Sequence, residues 1–152
     1  MAGDEDAASA RRRGSPLDVD AAQRSGVMKL LGIEVVSSAP ERVELHLRVG
    51  ERVHQPFGYL HGGVSALLAE TAASIGGCLA APGRRVVGVE LNASHLRPMR
   101  DGTLVAVATP VRIGRSLQVW DIALTDGARL EVCRARCTLA VGAPPARVAA
   151  AE

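Results

Sequence analysis

The chain of 152 residues is 47% hydrophobic, carries a formal charge of only +2, and has three aromatic rings in all: Phe57, Tyr59 and Trp120. One domain with an aliphatic core follows, able to bury about two-thirds of the surface its unfolded chain exposes. So small a charge gives no hold on a polyanion and so few rings give no stacking platform, which excludes nucleic acid as a partner.

Residues 1–16 combine an acidic cluster, Arg11-Arg12-Arg13 and Gly-Ser-Pro, the composition of a disordered tail. A single domain is expected over 17–142, with a flexible Ala/Pro-rich tail over 143–152. An amphipathic helix is predicted from Asp18 to Leu31, with Asp18 or Asp20 as N-cap and Gly32 as its stop. Ile33 to Ser37 reads as a strand. From Arg42 to Val49 the chain alternates, with Val43, Leu45, Leu47 and Val49 on one face and Glu44, His46 and Arg48 on the other. After a loop, a helix apolar nearly all round is predicted from Gly62 to Pro82-Gly83. Four strands follow, Arg85 to Leu96, Thr103 to Ile113, Ser116 to Thr125 and Arg129 to Val141. Asp126-Gly127 signals a hairpin turn, and Pro110 a bulge or an edge.

A helix apolar all round has to be enclosed. The fold class expected is therefore α+β, a curled antiparallel sheet wrapped around one long central helix, the arrangement called a hot dog. The apolar run from Val64 to Ala81 carries Ser65, Glu70, Thr71, Ser74 and Gly76-Gly77, so it reads as a core helix and no membrane is expected as a partner. Cys78, Cys133 and Cys137 form no metal-ligand pattern, and no metal site is expected. Cys133 and Cys137 fall in one strand about 13 Å apart, too far for a disulfide. An odd thiol count, behind an N-terminus without an apolar signal-peptide core, points to the cytoplasm.

Within the apolar helix stands one carboxylate, Glu70, and no Lys or Arg lies between Val53 and Pro82 to pair with it. Enclosing an ionised carboxylate costs several kcal/mol unless it is paired, so Glu70 reads as kept for chemistry. At the other end of the helix Gly62-Gly63 offers unpaired N–H groups and the positive end of the dipole to a carbonyl oxygen becoming negative. Gln55 and His61 are candidate side-chain donors. Singly, each also has a plain structural role: Gly-Gly as a helix start, Gln55 as a loop residue, His61 as a core histidine. Gly62 and Glu70 are about 12 Å apart along a helix, so one carbonyl reaches both only if two antiparallel helices bring Glu70 of one subunit to Gly62 of the other. Ser74, four residues after Glu70, shares its face and can orient the carboxylate or a water.

The run Gln-Pro-Phe-Gly-x-x-His-Gly-Gly-x-x-x-x-x-Ala-Glu, with Val87–Pro98 and Gly114–Trp120, resembles the hot-dog thioesterases of the phenylacetate-pathway and Arthrobacter-type hydroxybenzoyl-CoA class. It is most similar to members acting on dihydroxynaphthoyl-CoA and on mischarged aryl-carrier proteins. The resemblance covers about Gly26 to Val141. It implies hydrolysis of an acyl-CoA or acyl-carrier-protein thioester without cofactor, in a homodimer that pairs into a homotetramer. It makes Glu70 nucleophile or general base, gives the Gly62 N–H the thioester carbonyl with Gln55 and His61 helping, and puts Ser74 at the positioning residue. It further implies that Arg97, Arg115 and Ser116 handle the phosphates and nucleotide of coenzyme A, with Gly88, His95, Arg112 and Gly114 lining the same groove. Two rivals stand beside this reading. A hot-dog acyl dehydratase would need a catalytic His in a Pro-rich loop, which the His-Gly-Gly helix start argues against. A non-catalytic acyl-CoA-binding protein would gain nothing from Glu70.

Overall fold

The computed structural model describes residues 17–143; the tail expected at 1–16, and all but Ala143 of the tail expected at 143–152, lie outside that range. Asp18 caps helix α1 (Val19–Gln23), its carboxylate accepting from the Ala21 N–H at 2.9 Å. The one helix expected over 18–31 is two: Gly26, at φ +55°, breaks it before α2 (Gly26–Leu31), because a left-handed residue cannot continue a right-handed helix. Gly32, also left-handed at φ +69°, ends α2 where the sequence placed the stop.

Strands β1 (Glu34–Ala39) and β2 (Arg42–Val49) form a hairpin, with Glu34 opposite His46 and Ala39 opposite Arg42. The alternation of β2 is realised side chain by side chain: Val43, Leu45, Leu47 and Val49 are buried, while Glu44 bonds His46 at 2.9 Å on the outer face. Hydrogen bonds from Arg42 and His46 hold the Glu44 carboxyl below the usual carboxylate range. A short 3-10 turn, Glu51–Val53, leads through a loop to the long helix α3 (Gly62–Ala80). Then come β3 (Val86–His95), β4 (Gly102–Ile113), β5 (Leu117–Thr125) and β6 (Glu131–Val141).

All pairings are antiparallel, in the order β1-β2-β4-β5-β6-β3. The register of β4 slips between Pro110 and Arg112, the bulge that Pro110 called for. The Asp126-Gly127 pair does not form a two-residue turn. Asp126 instead closes a longer loop, its carboxylate accepting from the N–H groups of Ala128 and Leu130, and Arg129 takes the left-handed position at φ +64°. An Asp side chain that bonds the backbone two residues on competes well with the tight turn.

The sheet corrects the expected architecture. The fold is hot-dog-like, with one long helix on an antiparallel sheet, but the sheet is open rather than curled around the helix. Strands β1 and β3 are its two free edges and do not meet. Helix α3 lies across one face, burying Leu68, Ala69, Ala72, Ala73, Ile75 and the Gly76-Gly77 pair. At Gly76 an added Cβ would stand 2.5 Å from Trp120 Cη2, so the indole and the helix backbone touch only because glycine is there. Beside it, the fully buried Gln118 donates to the Gly77 carbonyl at 3.2 Å and accepts from the Trp120 indole at 3.0 Å. The opposite face of α3, through Leu67, Glu70, Thr71, Ser74 and Cys78, is left partly or fully open. By length and composition α3 would suffice to cross a membrane, yet here it is the core helix of the sheet.

Candidate active site

The loop before α3 is tied down at both ends. His61 N–H donates to the Val53 carbonyl at 2.9 Å, and Leu60 N–H to the Met99 carbonyl at 2.7 Å. Within it Gln55-Pro56-Phe57-Gly58 closes a β-turn, the Gly58 N–H donating to the Gln55 carbonyl at 3.0 Å, with proline where such a turn favours it. The Gln55 side-chain oxygen accepts from the Phe57 N–H. A backbone N–H can only donate, so the orientation of the amide is settled: its oxygen is occupied and its NH2 is left to donate elsewhere.

His61 is the N-cap of α3, its Nδ1 accepting from the Gly63 N–H at 2.9 Å. The imidazole therefore carries its proton on Nε2, a second side-chain donor at the helix start. The Gly62 N–H finds no partner among the described residues. Its Cα is pressed against β3, where an added Cβ would lie 2.7 Å from His95 Nε2. Gln55, Gly62, His95 and Arg97 share the wall of a cavity of about 350 Å³, with Ser65 and Val132 as its buried parts. Arg97 is exposed and donates to the Glu131 carbonyl at 2.9 Å. Ser65 escaped the sequence reading; its only signal was a hydroxyl three residues after Gly62, on the same face of the first turn.

Glu70 lies at the other end of β3. Contrary to the enclosure expected, it is exposed on the open face of α3, with no hydrogen bond among the described residues. Its carboxylate rests against Gly88, where an added Cβ would overlap it. Ser74 is half-buried one turn further along. Cys137 is near enough to feel the carboxylate: burial pushes its thiol up to about 11, and the charges of Glu70 and Glu90 add to that. Burial raises Cys78 and Cys133 as well, so none of the three thiols is an activated nucleophile.

The predicted residues thus fall into two groups. Gln55, His61, Gly62, His95 and Arg97 gather where His95 pairs Cys133, whereas Glu70, Ser74 and Gly88 lie where Gly88 pairs Leu139 and Leu139 pairs Gln118. His95 and Gly88 are seven positions apart on the strand, at most about 23 Å. Arg112, Gly114, Arg115 and Ser116 join the second group, because Val141, at the end of β6, donates to the Ser116 carbonyl and stands opposite Val86 of β3. Gly114 closes that turn with a 2.9 Å bond to the Leu117 carbonyl and leaves no room for a Cβ, while the N–H groups of Arg115 and Ser116 have no partner among the described residues. Arg112 and Arg115 are exposed and enter no ion pair there.

The contact at Gly88 makes a direct test. Gly88→Ala must displace the Glu70 carboxylate, which is the free end of a flexible side chain, so the fold survives while the carboxylate moves. A shift near 1 Å costs about a hundred-fold in rate when geometry controls the reaction. Turnover measured beside thermal melting should show that loss at an unchanged Tm; unchanged turnover would mean that the Glu70 position is immaterial.

Comparison with known proteins gives the family. Residues 57–133 match the family described as the Thioesterase superfamily. The chain is 48% identical over 117 residues to the 1,4-dihydroxy-2-naphthoyl-CoA hydrolase of Listeria monocytogenes, covering 76% of this chain and 95% of that protein. It is 42% identical over 112 residues to the proofreading thioesterase EntH of Cronobacter turicensis, covering 73% and 82% respectively. Among solved structures, the thioesterase HI1161 of Haemophilus influenzae superposes with a TM-score of 0.78 at 41% identity, over 82% of this chain and 87% of that one. The chain belongs to the thioesterase superfamily, in its hot-dog class. It is an enzyme, a hydrolase of acyl thioesters.

Proposed function

We propose that the protein hydrolyses acyl-CoA or acyl-carrier-protein thioesters at a site shared between two copies of the chain. Glu70 of one subunit is the nucleophile or the general base. The Gly62 N–H of the other polarises the thioester carbonyl, with Gln55 Nε2 and His61 Nε2 as further donors and Ser74 positioning the carboxylate or a water. As a base, Glu70 takes a proton from water as the water oxygen adds to the carbonyl carbon; the oxyanion gathers at the donors, and the C–S bond then breaks as Glu70 returns the proton to the leaving sulfur, releasing acid and thiol. As a nucleophile, its carboxylate would add to the carbonyl carbon and expel the thiolate as the C–S bond breaks, and water would then open the resulting anhydride to the acid and the restored Glu70.

The observation that carries this reading is the separation of Gly62 from Glu70 by eight helix positions, about 12 Å, with donors at one end and the carboxylate at the other. An antiparallel pair of α3 helices brings the two ends together. A second copy is also supported by the open face of α3 and by the free edge β3, on which Val87 and Val89 are 48% and 57% exposed. Pairing β3 with its two-fold mate would continue the sheet and lay the helices side by side. Dimers then pair into a tetramer. The relatives named for dihydroxynaphthoyl-CoA and for proofreading favour an aromatic acyl group. Three free thiols, an odd number, suit a reducing cytoplasm.

In this reading Arg115 and Ser116, beside Arg112 and Gly114, take the phosphates of the substrate's nucleotide. Gly88 and His95 line the groove, and Arg97 stands at the rim of the cavity. A panel of aryl, short and medium acyl thioesters, each as the coenzyme A and the truncated pantetheine form, tests both halves by free-thiol release. Arg115→Ala should raise KM about ten-fold for coenzyme A thioesters, one charge-assisted bond's worth, and leave the pantetheine forms unchanged. Equal losses on both would remove Arg115 from the phosphates, and no release from any member of the panel would leave a binding protein.

A further inference from the structure

The turn that carries Gln55 is held from outside by one side chain that no role above uses. Arg100 follows β3, in the segment before Gly102, and its guanidinium carbon lies 4.2 Å from the centre of the Tyr59 ring. The same guanidinium donates from Nη2 to the Tyr59 hydroxyl at 2.9 Å, and its Nη1 lies 3.4 Å from where a Cβ on Gly58 would stand. On the other side the Arg100 carbonyl meets His54 Nε2 at 2.6 Å. His54 and Tyr59 are the residues on either side of the turn, and Gln55 N–H bonds the Tyr59 carbonyl at 2.8 Å. The tip has little else to pack on: Phe57 is 81% exposed. Arg100 itself is exposed and enters no ion pair among the described residues, and its planar fork is engaged on Tyr59.

We propose that Arg100 is a positioning residue for Gln55: with Tyr59 and His54 it clamps the turn against the Met99–Arg100 segment, and so aims the free Gln55 NH2 at the thioester carbonyl held by Gly62. The inference rests on the donor role of Gln55 proposed above. The fork matters because it stacks and donates at once. Lysine keeps the charge but cannot do both. Slack in the turn moves a donor whose value depends on distance, so the loss falls on kcat rather than on substrate affinity.

A double-mutant cycle on kcat tests this. Gln55→Ala should cost about a hundred-fold, the range for one lost oxyanion donor. Arg100→Ala should cost about ten-fold in kcat with KM within two-fold, Arg100→Lys nearly as much, and Tyr59→Phe, which keeps the stack, less. In the Gln55→Ala background Arg100→Ala should cost nothing further, since the donor it aims is gone. The same ten-fold loss in both backgrounds would overturn the inference and leave Arg100 a general stabiliser of the loop. So would wild-type kcat in Arg100→Ala. A Gln55→Ala variant with full turnover would retire the donor role itself, and the clamp's purpose with it. Melting curves of each variant separate all of these from simple unfolding.

Discussion

Replacing Glu70 by Gln should lower kcat by a factor of about a hundred to ten thousand, while the protein melts at the temperature of the wild type. The amide keeps the size and shape of the carboxylate but can neither take a proton from water nor attack a carbonyl. Stability has little reason to change. Glu70 is exposed on α3, bonds nothing among the described residues, and rests against Gly88, a contact an amide makes equally well. Surface substitutions of that kind stay within about 0.5 kcal/mol. Thiol release followed at saturating substrate, with melting by circular dichroism, separates the two effects. Turnover at the wild-type rate in a folded Glu70→Gln protein would end the assignment of Glu70 to the chemistry.

Where the signal was local, the sequence could be read nearly to the residue. Strand β2 was legible because its alternation is dictated by one buried face: Val43, Leu45 and Leu47 are fully buried in the structure. The long helix was legible from Gly62 to Ala80 because Gly-Gly opens it and Pro82-Gly83 lies just beyond its end. Its surroundings were not. Apolarity all round a helix says that something covers it, without saying whether the cover is the chain's own sheet or another molecule. The wrapped sheet was inferred from that periodicity, and it failed because six strands with β1 and β3 at opposite edges leave one helix face uncovered. The expected enclosure of Glu70 failed with it.

Contacts between residues distant in the chain were likewise out of reach. Gly88 interrupts the β-branched run Val86-Val87-Gly88-Val89, which signals a close approach, but nothing in the run names Glu70 as the group approaching. Trp120 against Gly76 and Arg100 against Tyr59 are of the same kind. Glu70, Gly62, His61, Gln55 and Ser74 were read as candidates from their chemistry, the coenzyme A residues only from the resemblance. What the structure adds is their division into a donor end beside His95 and a carboxylate end beside Gly88, seven positions apart on β3.

That division leads to the shared site, and subunit complementation tests it most directly. One inactive parent carries Glu70→Ala and keeps its donors. The other carries Gly62→Pro, which removes the N–H at a helix position where proline is otherwise tolerated and presses only on the exposed His95 ring. Random remixing makes about half the dimers hybrid, and each hybrid holds one intact site, built from the Glu70 of one parent and the Gly62 of the other, and one doubly broken site. With subunit exchange followed by native mass spectrometry, about a quarter of wild-type activity should appear from two inactive proteins. Complete exchange with no return of activity would place Glu70 and Gly62 in service of the same chain and contradict the shared site.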